Sequence, residues 1–392
     1  MSEGGAMLTD VTIEGLRGVG RVELGFVPDQ RVHTLFGVNG VGKTKCLEAL
    51  YLFLLASNKD FQNLSKNMWR SQNSWSVMAR MRDVANDLAF EMPETEHFKL
   101  SQLFNFAALD RQKRTMPHSL PVIFLGAGHR ADLGDEQSAN SLLGSFEERR
   151  KAYFNKSVHA LQSNHLSSLG MTGDVRRWFV MRAQSVNPYQ KSKDNRQVEI
   201  DAVLSMLHAM EARIDPESLQ VDAAGQVFLE VDGQARELGD LSSGFISLVK
   251  LMQSIVAGYA AFTNEVQLQR VQGIVLIDEI ESHLHPEWQV KIIPCLKKLL
   301  PNTTFYVATH SPLVLTQLKD GEAYLLERGE DGVVRSRMIE GTSRRLLVDV
   351  LERAFGVDCN KLKFQAMEQD PEQNRKAKQG LLSLLDEVGS QV

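Results

Sequence analysis

Three short stretches carry the residue types that bind and cleave a phosphoanhydride. Gly37-Val38-Asn39-Gly40-Val41-Gly42-Lys43-Thr44 fits G-x-x-x-x-G-K-[ST] at every position. Its glycines let the backbone curl so that successive N–H groups face a β-phosphate, and Lys43 reaches the β- and γ-oxygens. The Thr44 hydroxyl is a ligand for Mg²⁺. Asp278-Glu279 ends the apolar run Ile274-Val275-Leu276-Ile277. Asp278 can hold Mg²⁺ through water, and Glu279 can polarise the attacking water. His310 ends another apolar run, from Phe305 to Ala308, and can donate to a γ-phosphate. A histidine after a strand is more often a surface or packing residue; its place one strand beyond the acidic pair favours the chemical reading.

These groups need rigid supports. RVHTLFG (31–37) reads as a buried strand and Lys43 to Leu55 as a helix. The glycine loop thus opens a helix, whose N-terminus adds partial positive charge. GIVLIDEI (273–280) has the pattern of a parallel strand buried on both faces, and open α/β sheets place ligands at such carboxyl ends. Two short strands are expected from Leu8, a strand at 121–128, a hairpin at 218–234, a long helix at 241–262 and a hairpin from EAYLLERG and GVVRSRMI. Residues 59–118 are polar and weakly periodic, and read as helices and loops outside the central sheet. The expected architecture is α/β, with a mixed sheet in a head at 8–330, helical insertions at about 59–118 and 137–215, and a mainly helical tail at 331–392.

Composition narrows the class. The 392 residues are 43% hydrophobic and 24% charged, ordinary for a globular protein. A net charge of -5 leaves no global basic field, so nucleic acid would have to meet a local patch. Cys46, Cys295 and Cys359 are far apart and odd in number, which fits neither zinc nor a disulfide framework. Cys46 and Cys295 lie in apolar stretches as expected of buried thiols. The start MSEGGAMLTD lacks a basic region followed by an apolar core. The longest apolar run, Ala49 to Ala56, is far below the ~20 residues of a membrane span. The chain reads as cytoplasmic, with no membrane partner.

With these motifs the chain resembles ABC-type ATPases of the RecF/SMC/OLD branch, a subset of the P-loop NTPases. Leu241-Ser242-Ser243-Gly244-Phe245 resembles the signature L-S-G-G-Q, with Ser243 and Phe245 replacing its second glycine and its glutamine. Asp278-Glu279-Ile280-Glu281-Ser282-His283-Leu284-His285-Pro286 resembles the acidic strand end and following loop of OLD-like members. Ala308-Thr309-His310-Ser311-Pro312 resembles their switch-histidine strand. The resemblance implies MgATP as ligand, with Gly37, Asn39, Gly40, Val41, Gly42, Lys43, Thr44 and Cys46 around the nucleotide. It also implies a homodimer, or a higher even oligomer, in which Ser242, Ser243 and Gly244 of one subunit close over ATP held by the other. Independently of family, Ser-Ser-Gly at a helix start is an anion site, and equally a simple N-cap. Gln137 is a candidate for the loop glutamine of such heads, and Arg17 resembles the N-terminal arginine they aim at nucleotide.

The long span from Thr44 to Leu241 lacks sustained heptads, which argues against a coiled-coil arm. No second acidic cluster marks a fused nuclease, and His283 with His285 lacks further ligands for zinc. What remains is similar to stand-alone ATPase subunits of anti-phage systems, including Septu and retron-associated ones, whose effector nuclease is a separate chain. The alternative is a RecF-like repair ATPase that binds DNA or RNA through 174–196. There Arg176, Arg177, Arg182, Lys191, Lys193 and Arg196 interleave with Trp178, Phe179 and Tyr189. Salt-dependent binding to DNA favours that alternative, and co-purification with a nuclease favours the defence reading.

Overall fold

A computed structural model describes residues 8–68, 88–92, 95–99, 117–134, 144–163, 165–186, 195–265 and 267–340. Strands form where apolar and β-branched residues run between glycine or polar turns. They are β1 (Asp10–Leu16), β2 (Gly20–Gly25), β3 (Val32–Phe36), β4 (Ala89–Met92), β5 (Thr95–Lys99) and β6 (Val122–Leu125), then β7 (Gln220–Val221), β8 (Val227–Val231) and β9 (Gln234–Glu237). Beyond these come β10 (Gly273–Ile277), β11 (Thr303–Ala308), β12 (Ala323–Arg328) and β13 (Val334–Met338). One sheet has the order β5-β4-β1-β2-β13-β12-β3-β11-β10-β6; β7, β8 and β9 form a small separate sheet.

Strands β12, β3, β11, β10 and β6 are mutually parallel, whereas β4, β1 and β2 pair antiparallel. The helices are α1 (Lys43–Ser57), α2 (Lys59–Met68), α3 (Phe146–Gln162), α4 (Val175–Gln184), α5 (Gln197–Met210), α6 (Ser243–Ala260), α7 (Pro286–Leu299) and the short α8 (Pro312–Leu315). Side chains alternate across a strand, so β10 sends Ile274 and Leu276 to one core and Val275 and Ile277 to the other. The first core holds α1 together with β1, β2 and Phe154 of α3. The second core lies under α4 to α7. Because α1 meets both the parallel strands and β1, it is apolar nearly all round, as a fully enclosed helix must be.

Two expectations are corrected. Residues 59–118 contain α2 but also β4 and β5, which extend the main sheet through β1 with Ile13 opposite Phe90. Phe90 is fully buried and stacks on Phe53 at 5.2 Å. A four-residue strand is too short to display a period, which is why the pattern was silent. The hairpin expected from EAYLLERG and GVVRSRMI forms as β12 and β13, so the stretch grouped as a mainly helical tail at 331–392 opens on a strand, which also pairs with β2. The rest of that stretch, 341–392, lies outside the described residues, as does Gln137.

Candidate functional site

The register brings four strand ends level. Leu35 pairs with Ala308, Val307 with Ile277, and Ile277 with Leu125. Across the sheet, at steps of about 4.8 Å, come the glycine loop after β3, His310 after β11, Asp278-Glu279 after β10 and the 126–134 loop after β6.

Gly37 adopts a φ of 145°, and a Cβ there would meet the Leu326 carbonyl at 2.7 Å, so the turn into the loop requires glycine. Helix α1 then starts at Gly42 with no side-chain cap and no acidic residue in its first turn. Its leading N–H groups and dipole are left for an external anion. Lys43 is only 4% exposed, and its Nζ donates to the carbonyls of Gly37 at 2.9 Å and Val38 at 3.0 Å. Burial pushes its ammonium down to about 8, against the pull of Glu281, Asp278 and Glu279. It still carries charge at neutral pH.

The Thr44 hydroxyl donates to Asp278 Oδ1 at 3.0 Å. Asp278 is 2% exposed, and burial pushes its carboxyl up to about 6, with the Thr44 bond acting the other way. A hydroxyl oxygen beside a desolvated carboxylate is a hard-oxygen donor pair that a divalent cation would relieve, so these residues fit Mg²⁺. A cleft of about 250 Å³ opens over this pair, lined by Gly40, Gly42, Lys43, Thr44, Arg17 and His310. Arg17, Lys43 and Lys45 make its lining basic, which suits a polyphosphate. Arg17, from the β1–β2 turn, thus faces the same space as the loop.

Two residues the motif reading passed over hold this edge together. Glu281 accepts from the Thr309 hydroxyl and from the His310 backbone N–H, each at 2.6 Å, and so fixes the turn that carries the histidine. The His310 imidazole is lowered chiefly by desolvation and then by Lys43, which leaves it neutral with one N–H to donate. Arg130 is 1% exposed, and its guanidinium donates to three carbonyls: Gly126 at 3.0 Å, Glu279 at 2.6 Å, and Asp278. Glu281 could have been suspected from the D-E-x-E spacing. Arg130 had no local signal, because its acceptors are backbone atoms of a distant strand.

Residues 143–316 match the family model described as "AAA domain, putative AbiEii toxin, Type IV TA system". With that match added to strand, glycine loop, helix and a Thr44–Asp278 contact, the fold is decided. The chain has a P-loop NTPase fold. Over 372 residues, 90% of this chain and 85% of the relative, it is 23% identical to a Septu protein PtuA of Bacillus thuringiensis. It is 45% identical over 76 residues to a "Retron Ec83 probable ATPase" of Escherichia coli, a span of 17% of this chain and 14% of that one. A solved SMC head bound to the C-winged helix domain of ScpA overlays 85% of this chain and 97% of its own, at 13% identity and a TM-score of 0.43.

In the head, Ser242 caps α6, its hydroxyl accepting from the Phe245 N–H at 3.4 Å. Ser242 and Ser243 are exposed, and neither they nor Gly244 line the cleft of their own chain. Phe245, where the signature has glutamine, is buried and packs edge-on against Trp288 at 5.7 Å. Cys46 is one turn inside α1 and fully buried, its thiol pushed up to about 12 by desolvation, and its N–H is spent on the Gly42 carbonyl. It supports the loop from within the core and presents no side chain to the cleft.

Among the described residues of 174–196, much of the basic and aromatic side-chain surface is turned inward or paired. Arg182 and Arg196, 6% and 4% exposed, both pair with Glu199, at 2.8 and 2.6 Å. Trp178 and Phe179 are buried in the second core, and Arg176 pairs with Glu237. Tyr189, Lys191 and Lys193 lie outside the described residues. No helix among the described residues is long and apolar enough to cross a membrane.

Proposed function

We propose that this head hydrolyses MgATP and uses the cycle of pairing and release as a switch in an anti-phage defence complex. The observation that carries the reading is the Thr44–Asp278 contact beneath a cleft that Lys43, Arg17 and His310 share. Mg²⁺ held by Thr44 Oγ1 and Asp278 would neutralise charge on the β- and γ-oxygens. Lys43 turns its ammonium from the loop carbonyls to the same oxygens, the uncapped start of α1 receives the β-phosphate, and neutral His310 donates to the γ-phosphate. Glu279 accepts the proton of the attacking water.

The position of the Ser242–Gly244 tip supports pairing. It is exposed, sits at a helix N-terminus and lies off its own chain's cleft, so a second head-to-tail copy can bring it over the γ-phosphate. Such a closed dimer would hold or release a separately encoded effector, a nuclease, according to nucleotide state. The Septu and retron relatives support the defence setting. Burial of Arg182, Arg196, Trp178 and Phe179 takes part of the support from the DNA-repair alternative.

The deciding experiment compares the full chain with Glu279→Gln in MgATP. Wild type should release phosphate, whereas Glu279→Gln should lose about 10²-fold or more of that rate and accumulate as an ATP-bound dimer by light scattering. A monomeric Glu279→Gln protein with ATP bound removes the pairing mechanism, and equal turnover by both proteins removes the assignment of the base.

A further inference from the structure

Helix α6 runs from the Ser242–Gly244 tip through the second core, and its buried residues are mostly apolar. One stripe differs. Ser247, Lys250 and Ser254 recur at spacings of three and four, hence on one face. Each donates to backbone carbonyls of a different segment. Ser247 Oγ reaches Ser282 at 3.0 Å, in the loop after the acidic pair. Lys250 Nζ reaches His129 at 2.8 Å and also Asp132, in the loop after β6. Ser254 Oγ reaches Gly170 at 2.8 Å.

Lys250 is fully buried, and its nitrogen is bonded to carbonyl oxygens and not to a carboxylate. A leucine or methionine would fill that volume without desolvating a charge. Between its two acceptors in the same loop stands Arg130, whose fork reaches past the loop to the carbonyls of Asp278 and Glu279. Glu279 has a φ of 44°, a left-handed conformation unfavourable for a residue with a side chain. Arg130 thus holds the carbonyl on each side of this bend, and the planar guanidinium makes that grip directional.

We propose that Lys250 and Arg130 are positioning residues acting in series, which tie the direction of α6 to the backbone bend that aims Glu279. Engagement of the helix tip by a partner's nucleotide then alters the pose of the base in the same chain, so each cleft senses the other. The inference rests on the hydrolysis reading and adds a route between paired sites. Neither residue lines the cleft, so ATP binding is left intact while turnover changes.

The test is steady-state hydrolysis by full-length wild type, Glu279→Gln, Lys250→Met, Lys250→Gln, Arg130→Lys and the double variant Lys250→Met/Arg130→Lys, each with its melting temperature. Lys250→Met and Arg130→Lys should each lower kcat about tenfold to hundredfold with KM for ATP within about threefold. The double variant should be no slower than the slower single, as residues acting as a unit behave. Lys250→Gln, which keeps an N–H donor for the loop carbonyls, should recover most of the rate. The proposal is overturned if Lys250→Met keeps kcat within about twofold of wild type, if the two losses multiply, or if kcat, KM and melting temperature fall together. Wild type as slow as Glu279→Gln would instead sink the hydrolysis reading beneath it.

Discussion

Thr44 and Asp278 stand 234 positions apart in the chain, yet the hydroxyl of one donates to the carboxylate of the other at 3.0 Å. The contact joins the first turn of α1 to the end of β10, across the intervening strand β11. It makes the proposed cation site a property of the folded sheet and not of either segment. It also keeps Asp278 buried, where its carboxyl is raised to about 6 by desolvation.

That raised value makes stability depend on pH. Between the ordinary value of 3.8 and about 6 the folded chain binds more protons at Asp278 than the unfolded chain does. Its contribution to stability is therefore greatest at low pH and is lost as pH rises through that window. Asp278→Asn removes the titration. In EDTA at pH 7 it should raise stability by up to about 3 kcal/mol, at ~1.4 kcal/mol per pKa unit, while abolishing hydrolysis. Thermal melts from pH 4.5 to 7.5 (chosen to bracket about one to two units around the window) check this. Parallel curves for the two proteins would refute it.

Lys43 spends a buried charge on two loop carbonyls, so its loss should harm binding more than folding. Lys43→Met is expected to weaken ATP affinity by about 10- to 100-fold, the value of one charge-assisted contact, with an unchanged or higher melting temperature. Titration with a fluorescent ATP analogue measures the first quantity. Near-wild-type affinity would remove Lys43 from the phosphate site.

Glu281 should matter through His310. Glu281→Ala releases the Thr309 hydroxyl and the His310 N–H, and with them the turn. An approximately tenfold fall in kcat with unchanged KM is expected, on the scale of a misplaced hydrogen-bond donor. His310→Ala should match it, and the pair combined should be no slower than either. Multiplying effects would show that Glu281 acts by another route.

Gly244 tests the helix tip. A Cβ there would approach the His283 carbonyl to 2.9 Å, so Gly244→Ala must shift the α6 start or the loop after the acidic pair. Within Glu279→Gln, the added methyl should leave ATP bound but lower the dimer fraction in sedimentation by about tenfold in association constant, as a strain of 1–3 kcal/mol does. Dimerisation at wild-type strength would mean the tip is not at the interface.

Much of the site was legible because its chemistry is local. Gly37 to Thr44 needs consecutive backbone N–H groups, and consecutive atoms come from consecutive residues. The buried strands were legible for a similar reason, since β3, β10 and β11 are largely apolar runs buried on both faces. Strand β4 was not legible, because four residues carry no period and its partner β1 is remote in sequence. Within 174–196, Arg182 and Arg196 look like surface charges in a string, whereas in the fold both are buried and share Glu199 as ion-pair partner.

By itself the sequence determined the strand–loop–helix cradle and the buried strand that ends in the acid pair, since each depends on neighbours along the chain. Tertiary structure alone decided which strands stand side by side, and so placed His310 between the loop and Asp278. It also recruited Glu281, Arg130 and Lys250, whose partners are largely backbone N–H and carbonyl groups from other segments. Every residue carries such groups alike, so no spacing of side-chain types can announce them.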